Sequence, residues 1–394
     1  MLELICWILF IAVAIPLSLF VVECVCSLFY RAPNVTPIEE SDTPEARCVI
    51  LIPAHNEELV IESTLESLKP ELGDHDEILV VADNCNDTTA DLVRASGCQV
   101  SERQDAENRG KGFALAHGLE QLKSNPPEVV IIVDADCEAI PGTIQRLKAA
   151  AIQYQRPVQS RYLLQSPDGA TIKTKVSEFA VLIKNRIRTK GLSFLGAPIP
   201  LLGSGMAFLW QDITSVPLAS GEIVEDMKLG IELAGQGKGA LYDDQPAILS
   251  DLPVTQAALE KQRERWEHGH MGMIQKFAGP LLKATAKSKS KSLLLFFLDL
   301  IIPPLSLLLM FTVVVFLFFA VMNIFANLSL VLSLVVLLVV AVMSCIFFSW
   351  LLAGRQILSP NELLHLPLYV LSKFGVYRGF VEKKQTTWNR TDRE

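Results

Sequence analysis

The stretch VVIIVDADCEA, residues 129–139, decides the fold class. Its first part, 129–133, is entirely apolar and is typical of a strand that is covered on both faces of a sheet. Asp134 and Asp136 follow one residue apart, and two carboxylates so close repel each other unless a cation lies between them. A hard divalent ion such as Mg²⁺ or Mn²⁺ takes oxygen ligands and bridges protein carboxylates to substrate phosphates. The stretch therefore indicates a buried strand that ends at a candidate metal and diphosphate site.

Strand-like and helix-like runs alternate around this stretch, between residues 47 and 250. The predicted strands are RCVILIPA (47–54), DEILVVAD (76–83), CQVSER (98–103) and VVIIVDAD (129–136), and the predicted helices cover Glu57 to Lys69, Thr88 to Ser96 and RGKGFALAHGLEQL (109–122). This alternation predicts βαβ units and an α/β fold with a mostly parallel sheet. In such sheets, ligands bind beyond the carboxyl ends of the strands.

Polar residues follow three of the predicted strands directly. They are PAHNE (53–57), ADNCND (82–87) and DADCE (134–138). Any one of these clusters could be ordinary loop polarity, and Asp87 before Thr88 is typical of a helix N-cap. Because parallel strands end at the same edge of a sheet, we expect the three clusters to converge on one site.

Three later stretches add groups that suit a diphosphate. LLGSGMAFLW (201–210) predicts a glycine-rich turn before an apolar strand, and GEIVEDMKLG (221–230) places two carboxylates in a helical stretch. KQRERWEHGH (261–270) combines basic residues with a tryptophan. Basic side chains beside a diphosphate stabilise the charge that develops on a leaving group.

The chain of 394 residues has a formal net charge of -8, which gives no reason to expect nucleic acid as a partner. Three segments are almost free of charge: Leu4 to Tyr30, Leu293 to Met322 and Leu328 to Leu352. Each is long enough to cross a hydrocarbon core, which needs roughly 20 apolar helical residues. The first segment lacks a basic n-region and is too long for the apolar region of a signal peptide. We therefore expect a membrane protein with about three spans.

Flanking basic residues predict the orientation of these spans. Arg31 follows the first span, four lysines between 283 and 291 precede the second, and Arg355 follows the third. The positive-inside rule then places 31–292 and the C-terminal tail in the cytosol, with the N-terminus outside. The protein would be integral to a plasma or inner membrane, in contact with membrane lipid.

The predicted organisation has four parts. These are an N-terminal transmembrane helix (1–31), a cytosolic domain (47–277), an interfacial segment with two transmembrane helices (292–353), and an amphipathic cytosolic tail (354–394). Pro303 and Pro304 interrupt the second apolar segment, which favours an interfacial piece at 293–302 followed by a span; a single kinked helix is the alternative.

The chain resembles the family 2 glycosyltransferases, in particular their membrane-bound, polysaccharide-synthase-like group. The resemblance covers about 47–277 and follows the family's order of motifs: VILIPAHNE, VVADNCNDTTA, NRGKGFAL with the D-x-D of VDAD, the ED of IVED, and the Q-x-x-R-W of QRERW. It implies a GT-A fold, a Rossmann-like domain. It also implies an inverting hexosyl transfer that depends on Mg²⁺ or Mn²⁺.

The resemblance also implies residue roles. Pro53, Glu57 and Asp83 would bind the nucleotide part of a nucleotide-sugar donor, and Lys111 would lie near its phosphates. Asp134 and Asp136 would hold the metal and the donor, with Asp136 the more direct ligand.

On the acceptor side, the resemblance implies that Asp226 is the general base, with Glu225 structural or a minor contributor. Gln262, Arg265 and Trp266 would close over the diphosphate and form the floor of the acceptor site.

We expect the donor to be a UDP-sugar, with a GDP-sugar as the alternative. We expect the acceptor to be a growing or lipid-linked glycan in exopolysaccharide or cell-envelope synthesis. Relatives with Q-x-x-R-W make β-linked polymers, so a processive polysaccharide synthase is the second hypothesis and a ceramide-type lipid glucosyltransferase the third. Three spans offer little wall for a polysaccharide channel, so a processive enzyme would need a homo-oligomer or a membrane export partner.

Overall fold

The computed structural model describes residues 2–36, 46–364 and 366, and these form two compact units. One, which we call the sheet unit, comprises the described residues of 31–167 and 198–269. The other, which we call the helical unit, comprises those of 2–30, 168–197 and 270–366. Residues 168–197, inside the predicted cytosolic domain, thus fold with the helical unit.

The sheet unit contains one sheet of eight strands. They are β1 (Cys48–Ala54), β2 (Glu77–Asp83), β3 (Gln99–Arg103), β4 (Val129–Ile132), β5 (Cys137–Ala139), β6 (Val158–Gln165), β7 (Met206–Leu209) and β8 (Leu241–Asp251). Their order is β3-β2-β1-β4-β7-β6-β8-β5. The run from β3 to β4 is parallel throughout, as is the pair β6 and β8, whereas β7 and β5 run antiparallel to their neighbours. The predicted mostly parallel α/β sheet is confirmed.

Helices connect these strands and build the helical unit. In chain order they are α1 (Leu2–Cys26), α2 (Ile61–Leu68), α3 (Thr89–Ala95), α4 (Lys111–Leu122), α5 (Thr143–Tyr154), α6 (Ile172–Leu182), α7 (Thr189–Phe194), α8 (Trp210–Ile213), α9 (Glu225–Gly235), α10 (Gln256–Ser288), α11 (Lys291–Leu300), α12 (Leu305–Ala326), α13 (Ser329–Ser349) and α14 (Pro360–Leu363). Short 3₁₀ turns cover Ser27–Phe29 and Lys69–Glu71, and π-helical turns cover Ile183–Arg188 and Trp350–Gly354.

The apolar strands form the core of the sheet unit. Every residue of β4 is buried, as the continuous apolar run predicts, and β1 and β2 are almost as completely covered. Parallel pairing of β1 with both β2 and β4 brings the carboxyl ends of these three strands to one edge. There the chain turns sharply at Asn56 (φ 56°) and Asn84 (φ 52°), a left-handed conformation that asparagine tolerates better than most residues.

The helical unit contains three helical stretches long and apolar enough to cross a membrane: Glu3–Phe29, Leu305–Ala326 and Ser329–Gly354. Three candidate membrane-spanning helices, as many as predicted, are therefore present among the described residues. Helix α11 ends at Leu300 and α12 begins at Leu305, so one helix precedes Pro303 and Pro304 and another follows them. Most of the predicted amphipathic tail, 354–394, lies outside the described residues.

A buried cation joins three segments of the helical unit. Arg188 donates through Nε to Glu23 Oε2 at 2.7 Å and through Nη2 to Asp299 Oδ1 at 2.6 Å. Glu23 lies on α1 and is 0% exposed, while Asp299 lies on α11. Gly191, one turn after Arg188, approaches α1 so closely that a Cβ there would stand 1.8 Å from the carbonyl oxygen of Glu23. Residues 168–197 are therefore fixed to α1 and α11 by an ion pair and by backbone contact.

We expect Arg188→Met to destabilise the protein strongly, because it leaves two buried carboxylates without their cation. Removing one partner of a buried ion pair costs about 3–5 kcal/mol of unfolding free energy. The matched control is Lys175→Met, since Lys175 pairs with Glu362 at 2.8 Å where both side chains are partly exposed. Thermal unfolding of the solubilised protein measures both variants. Equal midpoints for the two would contradict a stabilising role for Arg188.

Candidate active site

The D-x-D pair lies in a turn that is fixed on both sides. Strand β4 ends at Ile132, and Cys137 begins the short β5, which pairs antiparallel with β8. The backbone N–H of Asp134 donates to Ser204 Oγ at 3.0 Å. The hydroxyl of Ser250, on β8, donates to Asp136 Oδ2 at 3.0 Å. The backbone of Asp134 and the carboxylate of Asp136 are thereby held at the end of the buried strand.

Three potential metal ligands lie together in this turn, because one ligand atom each of Asp134, Asp136 and Cys137 fall within 4.8 Å of one another. Burial, and then the charge of Asp136, raise the pKa of the Cys137 thiol well above its usual value. A protonated thiol is a poor ligand, and hard divalent ions prefer oxygen. The donor set therefore fits a hard divalent cation held by the two aspartates.

Lys111 connects the D-x-D turn to two other segments. It is the first residue of α4, and its Nζ lies 2.6 Å from Asp134 Oδ1 and 3.4 Å from Glu225 Oε1. The same Nζ donates to the carbonyl oxygen of Gly203 at 2.8 Å. Burial works against the charge of Lys111, but Asp134, Glu225 and Asp226 outweigh it and raise the pKa. Lys111 is thus a cation held among carboxylates.

The turn at 203–205 brings the backbone into this group of charges. Gly203 (φ 99°) and Gly205 (φ 67°) have left-handed conformations that other residues rarely adopt. A Cβ on Gly203 would stand 3.4 Å from Asp226 Oδ2, 3.7 Å from Lys111 Nζ and 3.9 Å from Asp134 Oδ2. These three side chains therefore surround one backbone position.

Glu225 and Asp226 are the first two residues of α9, where the helix dipole favours negative charge. Burial raises the pKa of Glu225 to about 7; Lys111 opposes the rise and Asp226 adds to it. Burial also raises the pKa of Asp134, against the attraction of Lys111, and Asp136 and Asp226 raise it further. Asp226 itself is partly exposed, so a substrate group can reach it.

The three residues of Q-x-x-R-W lie on α10, at a spacing that places them on one face of the helix. Burial lowers the pKa of Arg265, and the charges of Glu225, Asp134 and Asp136 partly offset that effect, which shows that Arg265 lies near the acidic group. Gln262 is 8% exposed, and its Oε1 has no hydrogen-bond partner among the described residues. Trp266 is partly exposed.

Helix α10 is also tied to the start of α9. A Cβ on Gly269 would stand 2.7 Å from Val224 Cγ1, and Val224 immediately precedes Glu225. This close contact fixes the helix that carries Arg265 against the helix that carries Asp226.

Pro53, Glu57 and Asp83 lie at the ends of β1 and β2, as predicted. The backbone N–H of Glu57 donates to Thr89 Oγ1 at 2.8 Å. Asp83 is 5% exposed and accepts from Arg103 Nη1 at 2.6 Å. Since Arg103 takes one carboxylate oxygen of Asp83, a ligand contact would go to the other oxygen.

The structure thus brings Lys111, Asp134, Asp136, Asp226 and Arg265 to one region of the sheet unit. Other contributors carried no sequence signal. Arg103 holds Asp83, and Ser250 holds Asp136. Both are polar residues in strands whose partners are distant in the chain, so no local pattern indicates them.

Sequence profiles decide the family. The profile of the Glycosyl transferase family 2 matches residues 49–214, and that of the Glycosyl transferase family group 2 matches 159–354. The chain belongs to glycosyltransferase family 2. Its sheet unit has the predicted GT-A fold.

Curated relatives of this chain are distant in sequence, but the matches cover more than half of it. Glucomannan 4-beta-mannosyltransferase 7 of Arabidopsis thaliana is 24% identical over 65% of this chain and 50% of its own length. The probable glycosyltransferase YdaM of Bacillus subtilis (strain 168) is 24% identical over 67% of this chain and 64% of its own. Poly-beta-1,6-N-acetyl-D-glucosamine synthase of Staphylococcus aureus (strain COL) is 24% identical over 58% of this chain and 55% of its own length. The chain thus spans between half and two thirds of the length of these relatives.

A solved structure resembles nearly the whole chain. It is a mannosyltransferase of Pyrobaculum calidifontis in complex with GDP-Man and Mn²⁺. The match covers 98% of this chain and 100% of the other, with a TM-score of 0.54 and 17% sequence identity. At this identity the likeness shows the fold.

We expect Gly203→Ala to impair catalysis, because a side chain strains the backbone at φ 99°, and this backbone binds Lys111 and lies beside Asp226 and Asp134. Displacing reacting groups by about 1 Å costs on the order of 10²-fold in rate. The matched control is Gly97→Ala, since Gly97 also has a positive φ (79°) but nothing lies within 4 Å of its Cβ position. Sugar-transfer rates of the two variants measure the difference. Equal rates would show that a side chain at Gly203 has no effect.

Proposed function

We propose that this family 2 glycosyltransferase is a membrane-bound inverting enzyme. It transfers a sugar from a nucleotide-diphosphate sugar, a UDP-sugar in our view, to a glycan or lipid-linked glycan acceptor. The reaction contributes to exopolysaccharide or cell-envelope synthesis. The sheet unit lies in the cytosol and the N-terminus lies outside. One observation carries the proposal: Asp226, Lys111 and Asp134 surround the backbone of Gly203, beside Asp136.

Donor binding is assigned to the strand ends. Asp134 and Asp136 would hold Mg²⁺ or Mn²⁺, and when bound, the ion neutralises the charge of the donor diphosphate. Pro53, Glu57 and Asp83 would bind the nucleoside.

Lys111 and Arg265 would face the leaving nucleotide as cations. Lys111 Nζ lies 2.6 Å from Asp134 Oδ1, which keeps it beside the proposed diphosphate position. Arg265 is close enough to Asp134 and Asp136 for their charges to influence its pKa. Preorganised positive charge of this kind stabilises charge that develops in the transition state.

Asp226 is the proposed general base. It would accept the proton of the acceptor hydroxyl while the oxygen of that hydroxyl attacks the anomeric carbon and the nucleoside diphosphate leaves. A single displacement needs only one base and inverts the anomeric carbon. Glu225 is buried and lies 3.4 Å from Lys111 Nζ, whereas Asp226 is partly exposed, so an acceptor hydroxyl can reach Asp226 more easily.

Gln262 and Trp266 would bind the acceptor side. The buried Oε1 of Gln262 has no partner among the described residues and can accept a hydrogen bond from a sugar hydroxyl or a water. Trp266 offers a flat apolar face to a sugar ring, on the same face of α10.

A processive β-polysaccharide synthase is the second candidate. It is favoured by the names of two relatives, a glucomannan mannosyltransferase and a poly-N-acetylglucosamine synthase. Supplying UDP-sugars and GDP-mannose to membranes that contain the protein, followed by mass spectrometry, separates the two candidates. Single additions support the first proposal, and long homopolymers support the second. If no donor gives Asp226-dependent product, neither candidate holds.

We expect Asp226→Asn to reduce sugar transfer by about 10²–10⁴-fold, because the amide cannot accept the hydroxyl proton. Binding of UDP with Mn²⁺ should be unchanged, since the nucleotide lies at the strand ends. The control is Glu232→Gln, a carboxylate on the same helix that is 3.9 Å from Lys228. Transfer and UDP binding are measured on the same preparations. Near-normal turnover of Asp226→Asn would refute the assignment of the base.

We expect Asp136→Ala to abolish the metal-dependent part of UDP binding, because it removes one of two proposed carboxylate ligands. Calorimetric titration with UDP, with and without Mn²⁺, measures this directly. Asp91→Ala removes an exposed carboxylate on α3 that pairs with the surface residue Arg94, and it should behave like the wild type. UDP affinity that still rises with Mn²⁺ in Asp136→Ala would refute the metal role.

A further inference from the structure

A fully buried amide lies behind the turn at 203–205. Gln159 is the second residue of β6 and is 0% exposed. Its Nε2 donates to the carbonyl oxygens of Ser204 at 2.8 Å and Ser160 at 3.0 Å, with Gly205 O at 3.4 Å. Its Oε1 accepts from the backbone N–H of Leu202 at 2.9 Å. The side chain therefore binds the chain immediately before the turn, at Leu202, and within it, at Ser204 and Gly205.

The chemistry of this contact requires an amide. Leu202 presents a donor, whereas Ser204, Ser160 and Gly205 present carbonyl oxygens, so one end of the side chain must accept and the other must donate. Glutamate has the same size but would turn an acceptor towards the carbonyl oxygens. Methionine fills a similar volume and offers neither group.

The turn in question contacts two residues of the proposed site. The carbonyl oxygen of Gly203 accepts from Lys111 Nζ at 2.8 Å, and Ser204 Oγ accepts from the backbone N–H of Asp134 at 3.0 Å. The backbone of Gly205 packs closely against β6, since a Cβ on it would stand 2.0 Å from Ser160 Oγ. Any shift of residues 202–204 would thus be passed to both Lys111 and Asp134.

We propose that Gln159 is a positioning residue of the transfer reaction: its amide fixes the turn at 203–205, which in turn fixes Lys111 and Asp134. The proposal rests on the proposed function for the reaction step. The placement of Asp134 also affects metal-dependent nucleotide binding, which can be measured without any sugar transfer.

The test compares Gln159→Met and Gln159→Glu with a control, Thr143→Val. Thr143 is a suitable control because it is also buried and polar, and its Oγ1 bonds to the N–H and the carbonyl oxygen of Ala247, which is not part of the turn. Each variant is assayed, per folded protein, for kcat, for the KM of the donor, and for the Mn²⁺ concentration that half-saturates UDP binding.

We expect kcat to fall by about 10²-fold in both Gln159 variants, as for a small displacement of reacting groups, with a much smaller change in donor KM. The half-saturating Mn²⁺ concentration should rise by about tenfold because Asp134 loses its fixed position. Thr143→Val should lower thermal stability and leave kcat and the Mn²⁺ requirement unchanged.

Three results would overturn the inference. They are full kcat in Gln159→Met, an effect of Thr143→Val equal to that of Gln159→Met, or an unchanged Mn²⁺ requirement in both Gln159 variants. If the Gln159 variants do not fold, Ser204→Ala replaces them, since it deletes the acceptor of the Asp134 N–H. It should raise the Mn²⁺ requirement, and an unchanged requirement would overturn the inference. Absence of Asp226-dependent transfer in the wild type would instead refute the proposed function, with the Mn²⁺ readout still deciding the role of Gln159.

Discussion

A single ammonium group, that of Lys111, organises the site. It lies at the start of α4 and reaches the D-x-D turn through Asp134, the start of α9 through Glu225, and the turn at 203–205 through a carbonyl oxygen. Several carboxylates could not stay so close in a partly buried region without such a cation, because their repulsion would raise their pKa values until protons were taken up. Burial, and to a smaller extent the neighbouring carboxylates, raise the pKa values of Asp134 and Glu225, and Lys111 offsets this rise only in part.

The directions of the strands bring the segments of this site together. Parallel β1, β2 and β4 deliver their polar ends to one edge, while the antiparallel β7 returns the chain so that the turn before it meets the end of β4. The backbone N–H of Gly205 donates to the carbonyl oxygen of Ile132 at 2.9 Å, which continues the pairing up to the D-x-D turn. The metal-binding pair and the glycine turn are therefore held by the same backbone ladder. The proposed chemistry needs this rigidity, since sugar transfer depends on charges that are already in place.

Much of the fold could be predicted because its signals are local. The continuous apolar run of 129–133 predicted a buried strand, and the alternation of runs predicted a mostly parallel sheet; both are confirmed. The three apolar helices were evident from hydropathy alone. The ordered motifs placed Asp134, Asp136 and Asp226 on the chain, but their approach to one another depends on contacts between distant segments. Gln159, Arg103 and the ion pairs of Arg188 had no local pattern. A buried glutamine in a strand is recognisable only once the carbonyl oxygens around it are known.

The most direct test of the central claim is the position of a bound Mn²⁺ ion. A structure of the full chain with UDP and Mn²⁺, with manganese located by its anomalous scattering, would supply it. The account predicts one manganese peak at the carboxylates of Asp134 and Asp136, in contact with the diphosphate, with Asp226 facing the same space. A manganese peak bound elsewhere with UDP, or Asp226 facing away from the diphosphate, would contradict it.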